Sequence, residues 1–93
     1  MDFDWDDEKA KANVQKHGVS FVEASSVFGD PLAITVDDLL HSDDEERYIT
    51  VGTSDDGRLL IVSHTLRDAV IRIISARRTT RRERKDYEDG GFP

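Results

Sequence analysis

The sequence predicts an α+β domain: an antiparallel sheet with helices on one face, in the order β-α-α-β-β-β-β-α. Three observations predict it. Apolar residues recur at helical spacing in two early blocks and alternate in later ones. The tetrapeptides Ser20–Glu23 and Thr80–Glu83 have capping-box form, so each marks a helix start. Asp55-Asp56-Gly57 divides two β-rich runs in the manner of a hairpin turn. The 93 residues suffice for a single domain, 1–93, with a modest core.

Phe3-Asp4-Trp5 alternates like a short edge strand. Asp6 or Asp7 then caps a first helix through "DDEKAKANVQKHG". Its acids fall in the first turn and Lys16 and His17 in the last, as the helix dipole favours, and Gly18 ends it. Ala10, Val14 and His17 share its inward stripe. The second helix has Ser20 as N-cap, Glu23 at N3, and Val19 and Ala24 as a hydrophobic staple. Phe21, Ala24, Val27 and Phe28 are its buried face, and Gly29-Asp30-Pro31 stops it. "LAITV" (32–36) reads as a strand and "DDLLHSDDEE" (37–46) as an acidic loop. "RYITVGTS" (47–54), "RLLIVSHTL" (58–66) and "VIRIISAR" (70–77) form a meander. Thr80 opens a last helix that Gly90-Gly91 ends.

Composition narrows the class. The chain has no cysteine, so it holds no disulfide framework and no thiolate metal site. Its acidic start lacks the apolar segment of a signal peptide, and no apolar run approaches the ~20 residues that span a bilayer. A cytoplasmic protein with no membrane partner is the expectation. The net charge of −7 is unevenly spread: residues 1–45 hold 3 Lys+Arg against 12 Asp+Glu, while residues 46–93 hold 10 against 8. Such asymmetry fits a polyanion site on one side of an acidic body.

The positive charge gathers in "SARRTTRRERKDYE", where Arg77, Arg78, Arg81, Arg82, Arg84 and Lys85 fall within nine positions. Arg81 and Arg82 lie in the first turn of the last helix, where a cation costs about 0.3–1 kcal/mol at an exposed site. A sequence that breaks its own propensity rule marks a candidate functional site. Free N–H groups and guanidinium forks together make a phosphate site. Strict alternation in 70–77 places Val70, Arg72, Ile74 and Ala76 on one face and Ile71, Ile73, Ser75 and Arg77 on the other. Arg72 and Arg77 are then separated unless a bulge intervenes.

His17 stands at a helix end, His41 in the acidic loop and His64 within a strand. Their separation gives no metal-ligand spacing, and the acidic loop lacks the EF-hand pattern, so no metal or other cofactor is expected. No P-loop, dinucleotide fingerprint or nucleophile elbow occurs.

The stretches "NVQKHGVSF" and "IRIISARRTTRRERKDYE", with "HSDDEERYITVGTSDDGRLLIVSHT" between them, resemble the BrnT toxins of type II toxin–antitoxin systems. The likeness runs from Phe3 to about Gly90. It implies a RelE-like fold and a small ribonuclease that arrests translation. It also implies a BrnA-type antitoxin with a ribbon-helix-helix domain, and DNA contact only through the toxin–antitoxin complex. The matching stretches include Lys16, His17, Glu46, Arg47, His64, Arg67, Arg72, Arg77 and Tyr87, with acid and base unassigned among them. The chain departs from the pattern in its acidity and in having no glycine at the Arg67–Ala69 turn.

A ribonuclease of this kind needs no metal: the RNA 2′-OH attacks the adjacent phosphate. Arg77 with Arg81 or Arg82 is expected to hold that phosphate. Lys16, Arg47, Arg67 and Arg78 are further cations, and Tyr87 a further RNA contact. Proton transfer falls to His17 or His64, with Glu46 and Tyr87 behind them. The alternative is a non-enzymatic module whose arginines grip an acidic partner, or RNA without cutting it.

Overall fold

The computed structural model describes residues 1–41 and 45–92, so part of the acidic loop at 37–46 lies outside the described residues. The elements run β1 (Asp2–Asp4), α1 (Asp7–His17), α2 (Phe21–Ser26), a 3-10 turn (Val27–Gly29), β2 (Ile34–Asp37), β3 (Tyr48–Thr53), β4 (Leu59–Arg67), β5 (Val70–Arg78) and α3 (Arg81–Glu88). They form one five-stranded sheet in the order β1-β5-β4-β3-β2. β2 to β5 are antiparallel neighbours, as the hairpin signals require, but β1 runs parallel to β5. The sheet is therefore mixed. The crossover through α1 and α2 sets the direction of β1, and the apolar pattern of β1 does not encode it.

Local chemistry explains the helix boundaries. Asp6 accepts from Lys9 N at 3.0 Å to cap α1, and Gly18 ends it at φ 67°, where a side chain would be strained. Ser20 caps α2 by accepting from Glu23 N at 3.0 Å. Here the expected capping box is only half made. The Glu23 carboxylate does not return to the Ser20 backbone but crosses to Ser54 and Arg58 on the next layer. The β4–β5 turn is a two-residue loop with Asp68 at φ 51° and Ala69 at φ 68°. It keeps the geometry of a primed turn without glycine.

Helices do not all lie on one face. β4 alternates: Leu60 and Val62 pack with Val19, Phe21, Ala24 and Val27 beneath α1 and α2. Leu59 and Ile61 join Val51 on the other side, where Tyr87 and Phe92 cover them. α3 thus sits opposite α1 and α2. It has no fully buried residue, and with Tyr87 as its one aromatic or apolar side chain the sequence pattern gives no sign of which face it takes.

The inward stripe of α1 also differs from expectation. Val14 is half exposed and Asn13 is buried. β1 pairs only with Val70 to Arg72, so the outer edge of β5 is bare beyond that point. Asn13 fills the gap. Its amide donates to Ala76 O at 2.8 Å and Val19 O at 2.9 Å, and its carbonyl accepts from Ala76 N at 3.2 Å. One side chain completes the ladder where a strand is missing. Gly52 of β3 serves close packing instead: a Cβ there would lie 2.8 Å from Ala33 Cβ and 3.0 Å from Val27 Cγ1.

β5 carries one bulge. Ser63 pairs with Ser75 but His64 pairs with Ile73, so Ile74 is the extra residue. Ile71, Ile73 and Ala76 consequently all reach the larger core. Arg72 falls opposite Thr65 and Arg77 opposite Ile61, which lie on one side of β4. The bulge therefore brings Arg72 and Arg77 to the same face, against strict alternation.

Candidate functional site

The end of β5 and the start of α3 sort the arginines. Alternation turns Arg77 toward α3 and Arg78 to the opposite side, across from Leu60. Thr80 and Glu83 form a complete capping box: Glu83 N donates to Thr80 Oγ1 at 3.1 Å, and Thr80 N donates to Glu83 Oε1 at 2.8 Å. The same carboxylate accepts from Arg77 Nη1 at 2.8 Å and Nη2 at 2.9 Å. The fork of Arg77, expected at a substrate phosphate, is thus occupied by an internal one-to-one pair.

That pair has a measurable consequence. Arg77, and then the Thr80 backbone, holds the Glu83 carboxyl down at about 2, below its usual 4.5. A depressed carboxyl stabilises the fold above its unfolded value and loses that contribution as pH falls from about 4.5 toward 2. Glu83→Gln should therefore cost about 1 kcal/mol at neutral pH, a figure kept small because both partners are partly solvated. The same variant should flatten the acid limb between those pH values, read by thermal melts across a pH series.

Behind the capping box lies a cleft of about 290 Å3, lined by Gly57, Arg58, Leu59, Arg78, Thr79, Thr80, Arg81 and Arg84. Four guanidinium groups line it and no carboxylate does. Arg78 and Arg81 make no salt bridge among the described residues, and Arg84 has only a loose 3.5 Å contact with exposed Glu88. The first helical hydrogen bond of this turn is Arg84 N to Thr80 O at 2.9 Å, so the N–H groups of Arg81 and Arg82 precede it. Unpaired cations beside free N–H groups, in a concave site, suit a phosphodiester oxygen.

The structure scatters the other expected residues. Arg82 is exposed on α3 and does not line the cleft. His64 is 4% exposed, in the core between the Phe28 and Tyr48 rings, with Nε2 2.8 Å from Thr50 Oγ1. Burial pushes it down to about 4, so it is neutral at pH 7 and closed to substrate. Glu46, Arg47 and Arg67 stand at the far end of the sheet, roughly 30 Å of strand from Arg58 at ~3.3 Å per residue. There Glu46 accepts from the Tyr48 hydroxyl at 2.8 Å and Arg67 pairs with Glu45 at 3.1 Å. Arg72 pairs with Asp4 at 3.2 Å. Tyr87 donates its hydroxyl to Leu32 O at 2.8 Å and packs its ring on Val51, Leu59 and Ile61. Lys16 and half-buried His17 end α1, next to Gly18, whose carbonyl accepts from Arg58 Nη2 at 3.0 Å. Arg58 lies outside the arginine cluster that the sequence singles out, and Arg84 lies within it. Arg58 follows the acidic Asp55-Asp56-Gly57 turn, far in sequence from the arginine cluster, so charge clustering does not single it out.

The structure is a small α+β protein with an arginine-lined cleft, and comparison with known proteins agrees with that architecture. The chain is similar to the crystal structure of the Brucella abortus ribonuclease toxin BrnT, with a TM-score of 0.67 and 19% identity over 87% of this chain and 99% of that one. No curated protein sequence matches it. The family model of the ribonuclease toxin BrnT of type II toxin–antitoxin systems matches residues 5–83, and the chain belongs to that family. Membership carries ribonuclease toxin activity at the family level and implies an RNA target and an antitoxin partner. Among the described residues no helix is long and apolar enough to cross a membrane.

Proposed function

We propose that this protein is an endoribonuclease toxin that seats an RNA phosphate in the cleft at the start of α3. The observation that carries this is the placement of the arginines: Arg78, Arg81 and Arg84 line one cleft whose wall holds no carboxylate, and Arg81 stands in the first turn of α3, where helix stability favours an acid. In the proposed step the 2′-oxygen forms a bond to phosphorus, and the bond from phosphorus to the 5′-oxygen breaks. One proton leaves the 2′-OH and another reaches the departing 5′-oxygen. Arg78, Arg81 and Arg84 offset the charge that grows on the phosphoryl oxygens. His17, which precedes the Gly18 whose carbonyl accepts from the cleft residue Arg58, is the proposed proton-transfer group. The antitoxin is proposed to be of the BrnA type, with a ribbon-helix-helix domain that alone brings the complex to DNA.

The test is cleavage of a labelled RNA by purified protein in EDTA. The expected products end in 2′,3′-cyclic phosphate and 5′-hydroxyl groups, and His17→Ala should slow their appearance at least ~tenfold without lowering the melting temperature. Intact RNA under these conditions would leave the non-enzymatic binding module as the reading.

A further inference from the structure

Arg58 is the cleft's most firmly held cation. Its Nε donates to Glu23 Oε2 at 2.9 Å, its Nη2 donates to Gly18 O at 3.0 Å, and Nη2 also meets Glu23 Oε1. Glu23 is 8% exposed, and its carboxylate also accepts from the buried Ser54 hydroxyl at 2.8 Å. Arg58 holds Glu23 below the usual carboxylate range, and Glu23 in turn raises Arg58. Three elements thus converge on one guanidinium: the end of α1, the buried face of α2 and the β3–β4 hairpin. The Nη1 group donates to nothing among the described residues, and the side chain lines the cleft beside Arg78, Arg81 and Arg84.

The cost of this arrangement argues for a use. Glu23 gives up the backbone reach of its own capping box, although Ser20 keeps its half. Holding a nearly buried carboxylate against a partly exposed arginine is weak grounds for stability, since two apolar residues of like volume often serve as well. What it does achieve is a fork fixed in one orientation with one edge left over. An arginine oriented before the ligand arrives loses less freedom on binding than a free one.

We propose that Arg58 is an RNA phosphate ligand of the cleft and that Glu23 is its positioning residue. This rests on the reading that the cleft binds RNA. The probe is a fluorescent 2′-O-methyl RNA dodecamer, which cannot be cut by 2′-OH attack, titrated across a salt series. Arg58→Gln should weaken binding at least ~tenfold and reduce the log–log salt slope by about 0.7, one phosphate contact on a single strand. The double variant Glu23→Gln with Arg58→Gln removes the carboxylate left unpaired and should still bind weakly. Glu23→Gln alone should weaken binding while keeping the native slope, because the cation remains. Recovery of native affinity in the double variant would show that Arg58 merely neutralises Glu23, and would overturn the proposal. So would a native slope in Arg58→Gln, or no binding of the dodecamer by the native protein. If Arg58→Gln does not fold, Arg58→Lys keeps the charge without the fork, and native affinity in that variant sinks the idea. Binding of the dodecamer without cleavage of ordinary RNA would count against the ribonuclease reading alone.

Discussion

Arg78→Ala combined with Arg81→Ala should cut RNA cleavage at least ~100-fold, on the scale of removing donors that face transition-state charge. The melting temperature should stay within a few degrees. The separation of the two readouts is the point. Neither arginine makes a salt bridge among the described residues, so neither supports the fold by pairing. Arg81 lies in the first turn of α3, and removing a cation there should return a few tenths of a kcal/mol. Lys85→Ala is the control: Lys85 is exposed, pairs with Asp89 at 3.3 Å and does not line the cleft. A double variant that cuts at the native rate would move the site elsewhere. A double variant that melts early would show that the arginines serve the fold.

Asn13→Ala should be the most damaging polar substitution in the chain, lowering stability by roughly 3–5 kcal/mol. Three hydrogen bonds go, and Ala76 N–H, Ala76 C=O and Val19 C=O are left without them, at roughly 1–3 kcal/mol for each buried group and less than additively. For a domain of this size that is a fall of roughly 15–25 °C in melting temperature. Asn13→Asp keeps an acceptor for Ala76 N–H but sets a carboxylate against two carbonyl oxygens. It should rescue little at pH 7 and more as the pH falls and the acid protonates. A melting temperature within 5 °C of native in Asn13→Ala, about 1 kcal/mol here, would mean that water replaces the amide at the β5 edge.

Much of the fold was legible because it is local. Gly18 at the end of α1, Thr80 and Glu83 at the start of α3, and the Asp55-Asp56-Gly57 turn act within a few residues of themselves. Three features were not local. The crossover sets the direction of β1, the Ile74 bulge brings Arg72 and Arg77 to one face, and α3 takes the side opposite α1 and α2. The site divides in the same way. Charge clustering singles out Arg78 and Arg81, which line the cleft. It also singles out Arg77, but the sequence does not say which arginine Glu83 claims. It does not single out Arg58, whose place in the cleft depends on Glu23, 35 residues away. His64 shares its strand face with Leu60, Val62 and Leu66, and it is buried there with Leu60 and Val62.

The cleft sets its arginines into a body of net charge −7, and this shapes the timing of encounter. Within a Debye length, about 10 Å at 0.1 M salt, an approaching RNA strand meets the body's repulsion, and only at contact does it meet the guanidinium groups. Moderate salt weakens the approach barrier and the grip together, so arrival quickens while residence shortens. A uniformly basic surface slows arrival under the same change. Few strands are captured in passing, and those that stay are the ones with a phosphate already inside the cleft.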